Sequence, residues 1–197
     1  MATTNTPTQT LSTRPKRADA RRNYDKVIAA AREAFAEGGA ATSLEEIARR
    51  AGVGIGTLYR NFPNRQALLE AVYVEEVEGV TRSAADLDGV EPWEALVGWL
   101  HRVVGYLATK QALAQELLDY VDRDAPLFVS CRSLLFAAGE PLLQRAQNAH
   151  VVRADTNLSE VIQMVGGIAK IHTTAPGQVD HILDIALDGL RYRPAGD

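Results

Sequence analysis

Residues 52–62 read Gly52-Val53-Gly54-Ile55-Gly56-Thr57-Leu58-Tyr59-Arg60-Asn61-Phe62, with three glycines at alternate positions. Such spacing serves a backbone that cradles a phosphate, or a tight turn between two short helices. The neighbours decide between them. A dinucleotide loop needs a buried strand before it and a G-x-G-x-x-G spacing. Here the preceding residues 43–51 are SLEEIARRA, charged and helical in pattern, and position 57 is Thr rather than Gly. The turn reading is the one that fits.

Working outward, Ser43-Leu44-Glu45-Glu46 has the form of a capping box, in which the Ser hydroxyl and the Glu carboxylate satisfy each other's exposed amides. It opens a short helix through Ala51 that buries Leu44, Ile47 and Ala48, and Gly52 stops it. A third helix runs from about Ile55 to Asn61, with Leu58 and Phe62 as core. Upstream, Asn23 can cap a first helix in which Tyr24, Ile28, Ala31 and Phe35 recur at helical spacing, ended by Gly38-Gly39. Downstream, Pro63-Asn64 marks the start of a long fourth helix carrying Leu68, Leu69, Val72 and Val80 to about Ala85. The two short helices have the pattern of a helix–turn–helix, whose second member would enter a major groove by its N-terminal end. Gly56, without a side chain, lets the backbone come close, and Thr57 offers a methyl and a hydroxyl to base edges.

The charge agrees. Residues 1–65 hold 11 Lys and Arg against 6 Asp and Glu, whereas residues 66–197 hold 10 against 19. A basic head on an acidic body points a polyanion at the head alone. No apolar run approaches the ~20 residues of a membrane span, and residues 1–13 lack a signal-peptide pattern. The single cysteine, Cys131, excludes an internal disulfide and suits a reducing cytoplasm.

Past a linker at 86–91, Pro92 opens a fifth helix over about 92–109, apolar on most sides through Trp93, Leu96, Val97, Trp99, Leu100, Val103, Val104, Tyr106 and Leu107. A helix greasy all round is buried. Further helical patterns cover about 111–121, 125–150, 157–172 and 178–191, with no convincing strand and no repeat. The chain reads as all-α.

The stretch TSLEEIARRAGVGIGTLYRNFPNRQALLEAV, Thr42 to Val72, resembles the DNA-binding signature of the TetR family of bacterial transcriptional regulators. The capping box, the Ala-Gly-Val turn, Gly-Thr-Leu-Tyr, Phe-Pro and Leu-Leu fall in register over about residues 22–72. The C-terminal half resembles regulators of the SbtR-like subgroup. The resemblance implies an all-α chain of about nine helices: a disordered basic arm (1–20), a three-helix DNA-binding domain (21–80, helix–turn–helix about 43–62) and a helical-bundle ligand-binding and dimerisation domain (81–197).

It also implies residue roles. Thr42 and Ser43 would contact a phosphate with hydroxyls and helix N-terminal amides. Ile55, Gly56 and Thr57 would face bases, Tyr59 would reach a phosphate, Arg60 a base or phosphate, and Arg65 stands where the family has a phosphate-binding Lys. Two positions depart from the pattern: Gly54 replaces a Ser, removing a cap and phosphate hydroxyl, and Asn61 replaces a His or Tyr. The basic arm of Arg14, Lys16, Arg17, Arg21 and Arg22 is either a solvated tail or a minor-groove insertion.

In the body, Leu158, Val161, Ile162, Val165 and Ile168 share a helix face beside Gly166-Gly167, and Ile182, Ile185, Ala186 and Leu190 share another. In the family the last two helices pack against their twins, so these are the expected dimer contacts, the alternative being burial in one protomer. A two-fold dimer predicts a palindromic double-stranded operator. Trp99, Tyr106, Phe128, Cys131, Leu135 and Met164 are the candidate lining of a site for a small, largely apolar or aromatic effector, with His101 a satisfied helix histidine. Asp119, Asp122 and Asp124, and Asp180, Asp184 and Asp188 with His181, read as solvated helix faces rather than metal sites. No cofactor loop and no nucleophile–base pair argues for an enzyme. The functional expectation is a homodimeric repressor released by a small molecule. The alternatives keep the DNA-binding head but place it under a protein partner, or make the chain an activator.

Overall fold

The computed structural model describes residues 14–15, 17–38, 42–122, 124–173 and 175–192, and only the backbone of 38, 108, 109, 111 and 112. Among them the chain forms eight α-helices and one isolated antiparallel bridge, Val152 with Arg191. The first four are α1 (Ala18–Gly38), α2 (Leu44–Ala51), α3 (Ile55–Asn61) and α4 (Arg65–Ala85). The rest are α5 (Pro92–Leu117), α6 (Pro126–Asn148), α7 (Leu158–Ile168) and α8 (Gln178–Asp188).

Helices α1–α3 make the head, closed by the start of α4. Tyr24, Val27, Ala31 and Phe35 of α1 pack on Ile47 and Ala48 of α2 and on Leu58, all fully or nearly buried. The Tyr24 and Phe62 rings meet at 5.0 Å between centroids, which seals α1 against the end of α3. Asn23 caps nothing. The helix begins five residues earlier at Ala18, so Arg21 and Arg22 stand on α1 itself rather than on an arm that leads into it.

The capping box at Ser43 is half made. The Ser43 hydroxyl accepts from the Glu46 amide at 3.1 Å. The Glu46 carboxylate turns instead to Arg49 and Arg50 at 2.7–2.8 Å. A complete box lies in the body, where Asn157 and Glu160 each accept the other's backbone amide at the start of α7.

Helix α4 runs out of the head and into the body, packing on α1, α5 and α6. Helix α5 is continuous across 110, where the sequence pattern divides it in two. No Gly or Pro interrupts residues 106–117, and Leu113 and Leu117 continue the buried face, so the backbone has no reason to break. Helix α6 alone among the described helices has the length and mean hydropathy (1.2) of a membrane span, although the sequence shows no unbroken apolar run of that size. It holds Arg132, Glu140 and Arg145 and packs on α4, α5 and α7. Its inner side touches Trp99: a Cβ on Gly139 would lie 2.3 Å from the indole, so only glycine admits that ring.

Candidate nucleic-acid interface

The turn at 52–54 is built as its glycines require. Gly52 closes α2 with φ +65°, a left-handed conformation costly for other residues, and its amide reaches the Ala48 and Arg49 carbonyls. Gly54 takes the extended N-cap position of α3 with no side-chain bond, and its carbonyl accepts from the Thr57 and Leu58 amides. One side of α3 points inward through Leu58. The other side is left bare: Ile55 and Tyr59 are 38% and 43% exposed, and Gly56 and Arg60 lie open beside them. Large apolar groups held on an exposed helix face, next to a cation, are what a partner surface looks like.

The polar groups on this face are pre-set. Arg60 folds back along α3, its Nε donating to the Gly56 carbonyl at 3.1 Å and its Nη2 to the Thr57 hydroxyl at 3.0 Å. Asn61 donates to the Thr57 carbonyl at 2.8 Å. On α2, Glu46 is held down to about pH 2 by its bonds to Arg49 and Arg50, and Arg50 is also paired with Glu37 at 2.6 Å. Arg49 remains largely in solvent.

Several expected phosphate contacts are engaged within the chain. The Thr42 hydroxyl donates to the Ala34 carbonyl at 2.9 Å, while Ser43 sits exposed at the α2 N-terminus. Arg65 donates to the Thr42 carbonyl, packs its guanidinium 4.9 Å above the Phe35 ring, and reaches Glu116 at the end of α5 at 2.8 Å. It is a joint between head and body. Arg14 forms a two-pronged pair with the buried Glu75 of α4, both bonds 2.6 Å, and lies 3.5 Å from Asp25. Arg14 is therefore pinned to α4, Arg17 is exposed, and Lys16 falls outside the described residues.

The body divides the expected pocket residues. Trp99 is core, wholly buried against Gly139, with its indole N–H on the Val80 carbonyl at 3.3 Å. Tyr106 and Cys131 are buried beside Tyr73, against whose ring Phe128 packs edge-on at 5.3 Å. Leu135 is buried and Met164 half-buried. Burial pushes the Cys131 thiol up to about 11, and the Tyr73 and Tyr106 phenols well above their ordinary value.

The residues expected at the dimer contact divide between buried and exposed. Leu158, Val161, Val165 and Ile168 are buried within the protomer, and so is Leu190. Helix α7 packs on α5 and α6, and a residue already dry has little left to bury against a twin. Ile162, Ile182 and Ala186 are half-buried, and Ile185 is 62% exposed. His101 of α5 reaches across to Asp180 and Asp184 of α8 at 3.4 and 2.9 Å, which ties that helix down.

Two family models match this chain. One, described as bacterial regulatory proteins of the tetR family, covers residues 27–72. The other, the C-terminal domain of SbtR-like transcriptional regulators, covers residues 91–192. The chain belongs to the TetR family.

Solved structures agree. A TetR transcriptional regulator from Streptomyces coelicolor is 38% identical over 85% of this chain and 98% of its own, with a TM-score of 0.75. A TetR transcription regulatory protein from Mycobacterium vanbaalenii is 33% identical, covering 90% and 99%, with a TM-score of 0.73. A structure described as the molecular basis for control of antibiotic production by bacterial hormones is 25% identical, covering 89% and 100%, with a TM-score of 0.67. The chain is thus a transcriptional regulator with a DNA-binding helix–turn–helix.

Within this TetR-family frame, sequence reasoning misses the residues that act at long range. Glu116, Glu75 and Gly139 carry no local signal, because their partners lie 51, 61 and 40 positions away. Only the burial of a carboxylate in an apolar helix hints at a cation elsewhere.

Proposed function

We propose that the chain is a homodimeric repressor. It reads a palindromic operator through the N-terminal end of α3 and is released when a small molecule binds the helical body. The observation that carries the DNA reading is the bare face of α3, where Ile55, Gly56, Tyr59 and Arg60 stay open while Leu58 on the opposite side is fully buried. Ile55, Gly56 and Thr57 take the bases. Arg60, resting on Thr57, moves with it to a base or phosphate. Ser43, Tyr59 and Arg17 hold the backbone. Thr42 and Arg65 act through the shape of the α1–α2–α4 junction, with their polar groups already engaged there.

Dimerisation uses the side of α7 and α8 that one protomer leaves uncovered, Ile162, Ile182, Ile185 and Ala186. Release by a small molecule is supported by the relative whose structure is described as the molecular basis for control of antibiotic production by bacterial hormones. It is supported too by the continuity of α4, which passes from the α3 junction into the body without a break. A ligand that favours one tilt of α4 would shift the spacing of two heads.

Footprinting on the DNA flanking the gene, followed by anisotropy on the protected site, tests this. Thr57→Ala should relax discrimination at particular base pairs, and Tyr59→Phe should weaken all sequences alike. If Thr57→Ala leaves affinity and preference unchanged, α3 is not the reading helix.

A further inference from the structure

Where the head meets the body, α1, α4 and α5 leave a recess of about 660 Å³ between them. That volume lies within the range of small-ligand sites. Ile28 of α1, Val80 of α4 and Tyr106 of α5 form its apolar side, each nearly buried. Gly79 and Gly105 open on it from the middle of α4 and of α5. A glycine inside a helix weakens it, and here no packing asks for one: a Cβ at either position would meet nothing within 4 Å. The two glycines keep room where the fold itself needs none.

The charges around the recess are a second, independent observation. Arg14, Arg32, Arg82 and Arg102 line it against the carboxylates of Asp25, Glu75 and Glu76. Arg14 is matched by its two-pronged pair with Glu75. Arg32 reaches Glu76 only at 3.5 Å, and Arg82 reaches Glu78 at 3.5 Å and Glu75 at 4.0 Å. Arg102 donates to the Ser83 carbonyl and pairs with no carboxylate among the described residues. Away from the recess, Arg50–Glu37, Arg65–Glu116 and Arg153–Asp155 close to 2.6–2.8 Å. Three helices thus bring one guanidinium each to the same space, α1 with Arg32, α4 with Arg82 and α5 with Arg102, and leave their donors largely unused.

We propose that this recess binds a small phosphate monoester with an apolar body. The planar fork of a guanidinium matches phosphate oxygens two at a time. Three forks used that way offer about six donors, beyond the roughly four lone-pair sites of one carboxylate. A phosphate monoester brings three oxygens and a charge of about −2. The apolar part lies on Ile28, Val80 and Tyr106, in the room left by Gly79 and Gly105. Arg32 belongs to the head and Arg102 to the body, so an occupant held by both ties the two together and biases the tilt of the head. That consequence rests on the effector reading above, whereas binding itself needs no DNA.

Calorimetry on the full chain without DNA, at fixed ionic strength, separates the two. The probes are phenyl phosphate, benzoate and inorganic phosphate. Phenyl phosphate should bind about tenfold or more tightly than either of the others, which lack the third oxygen or the apolar body. Arg82→Gln and Arg102→Gln should each weaken it about tenfold, the scale of one charge-assisted hydrogen bond. Arg153→Gln, outside the recess, should change nothing. Gly79→Met puts a side chain into the recess and should abolish binding while leaving or raising the thermal midpoint of the free chain. A lowered midpoint would mean that this glycine serves the fold, and the arginine variants then decide. If phenyl phosphate binds no better than benzoate, or if Arg153→Gln weakens it as much as Arg102→Gln does, the recess is not a phosphate site. If it binds as expected but leaves the affinity for operator DNA unchanged, this site stands and its part in release fails.

Discussion

At the scale of single residues, the three glycines of the opening stretch have separate duties, and substitution tells them apart. A Cβ on Gly56 would meet nothing within 4 Å, so the free chain has no use for its bareness. Alanine there should raise helix stability by up to about 1 kcal/mol, yet weaken operator binding, since the methyl stands between α3 and the groove floor. Opposite signs in a denaturation curve and an anisotropy titration would establish that Gly56 is there for DNA. If both improve, α3 does not approach that closely. Gly54 also has an open Cβ position and caps α3 with no side chain, so Gly54→Ser should add a few tenths of a kcal/mol and a phosphate-reaching hydroxyl. Cys131 is decided by burial. With its thiol held near 11, thiolate is scarce below that pH, so an aromatic disulfide reagent at pH 8 should leave native protein unmodified and react fully only in denaturant. Rapid labelling of the folded chain would place Cys131 at the surface.

At the scale of elements, the long-range pins matter more than the local signals. Gly139 and Trp99 lock α6 to α5, and Gly139→Ala must push an indole that is already bonded to the Val80 carbonyl. We expect a loss of about 1–3 kcal/mol, read as a lower denaturant midpoint at unchanged slope. A neutral result would mean that the ring has room to move. The pair Arg65–Glu116 fixes the head to the end of α5. Glu116→Gln should weaken the fold by about 1–3 kcal/mol, and, by freeing a guanidinium beside the α2 N-terminus, steepen the salt dependence of DNA binding by about one charge. An unchanged salt slope would show that Arg65 stays a structural group. These pins also explain what could be read in advance. Helices α2, α3 and α4 were legible because Ser43, Gly52, Gly54 and Asn64 mark their ends by local backbone chemistry. The start of α1 was not: Asn23 could cap a helix, but nothing before it stops one. The same holds for the site. Leu58 against Tyr59 follows from helical period, whereas the capture of Arg14 by Glu75 depends on how α1 meets α4 across 61 residues.

At the scale of the molecule, the question is which face of α7 and α8 a second copy would meet in the proposed dimer. Apolar periodicity put Leu158, Val161, Val165 and Ile168 on a stripe, and a stripe says only that something dry lies opposite. The protomer's own α5 and α6 lie there. What one chain leaves wet is the reverse side of α8, where Ile185 is 62% exposed next to the half-buried Ile182 and Ala186. His101, holding Asp180 and Asp184, keeps that helix seated on α5 with this side turned outward. An isoleucine so exposed costs a monomer little to replace, because it buries almost nothing there. Ile185→Arg should therefore leave the unfolding transition of a dilute sample in place, and convert a dimer to a monomer in sedimentation at micromolar concentration. The operator should feel this strongly. Two heads on one body bind as a single bivalent ligand, and separating them should cost roughly 100-fold in affinity for a two-half-site duplex. Affinity for a single half-site should not change. A variant that remains dimeric, or that weakens full site and half-site equally, would show that the interface lies elsewhere and that the second head is not held by this face.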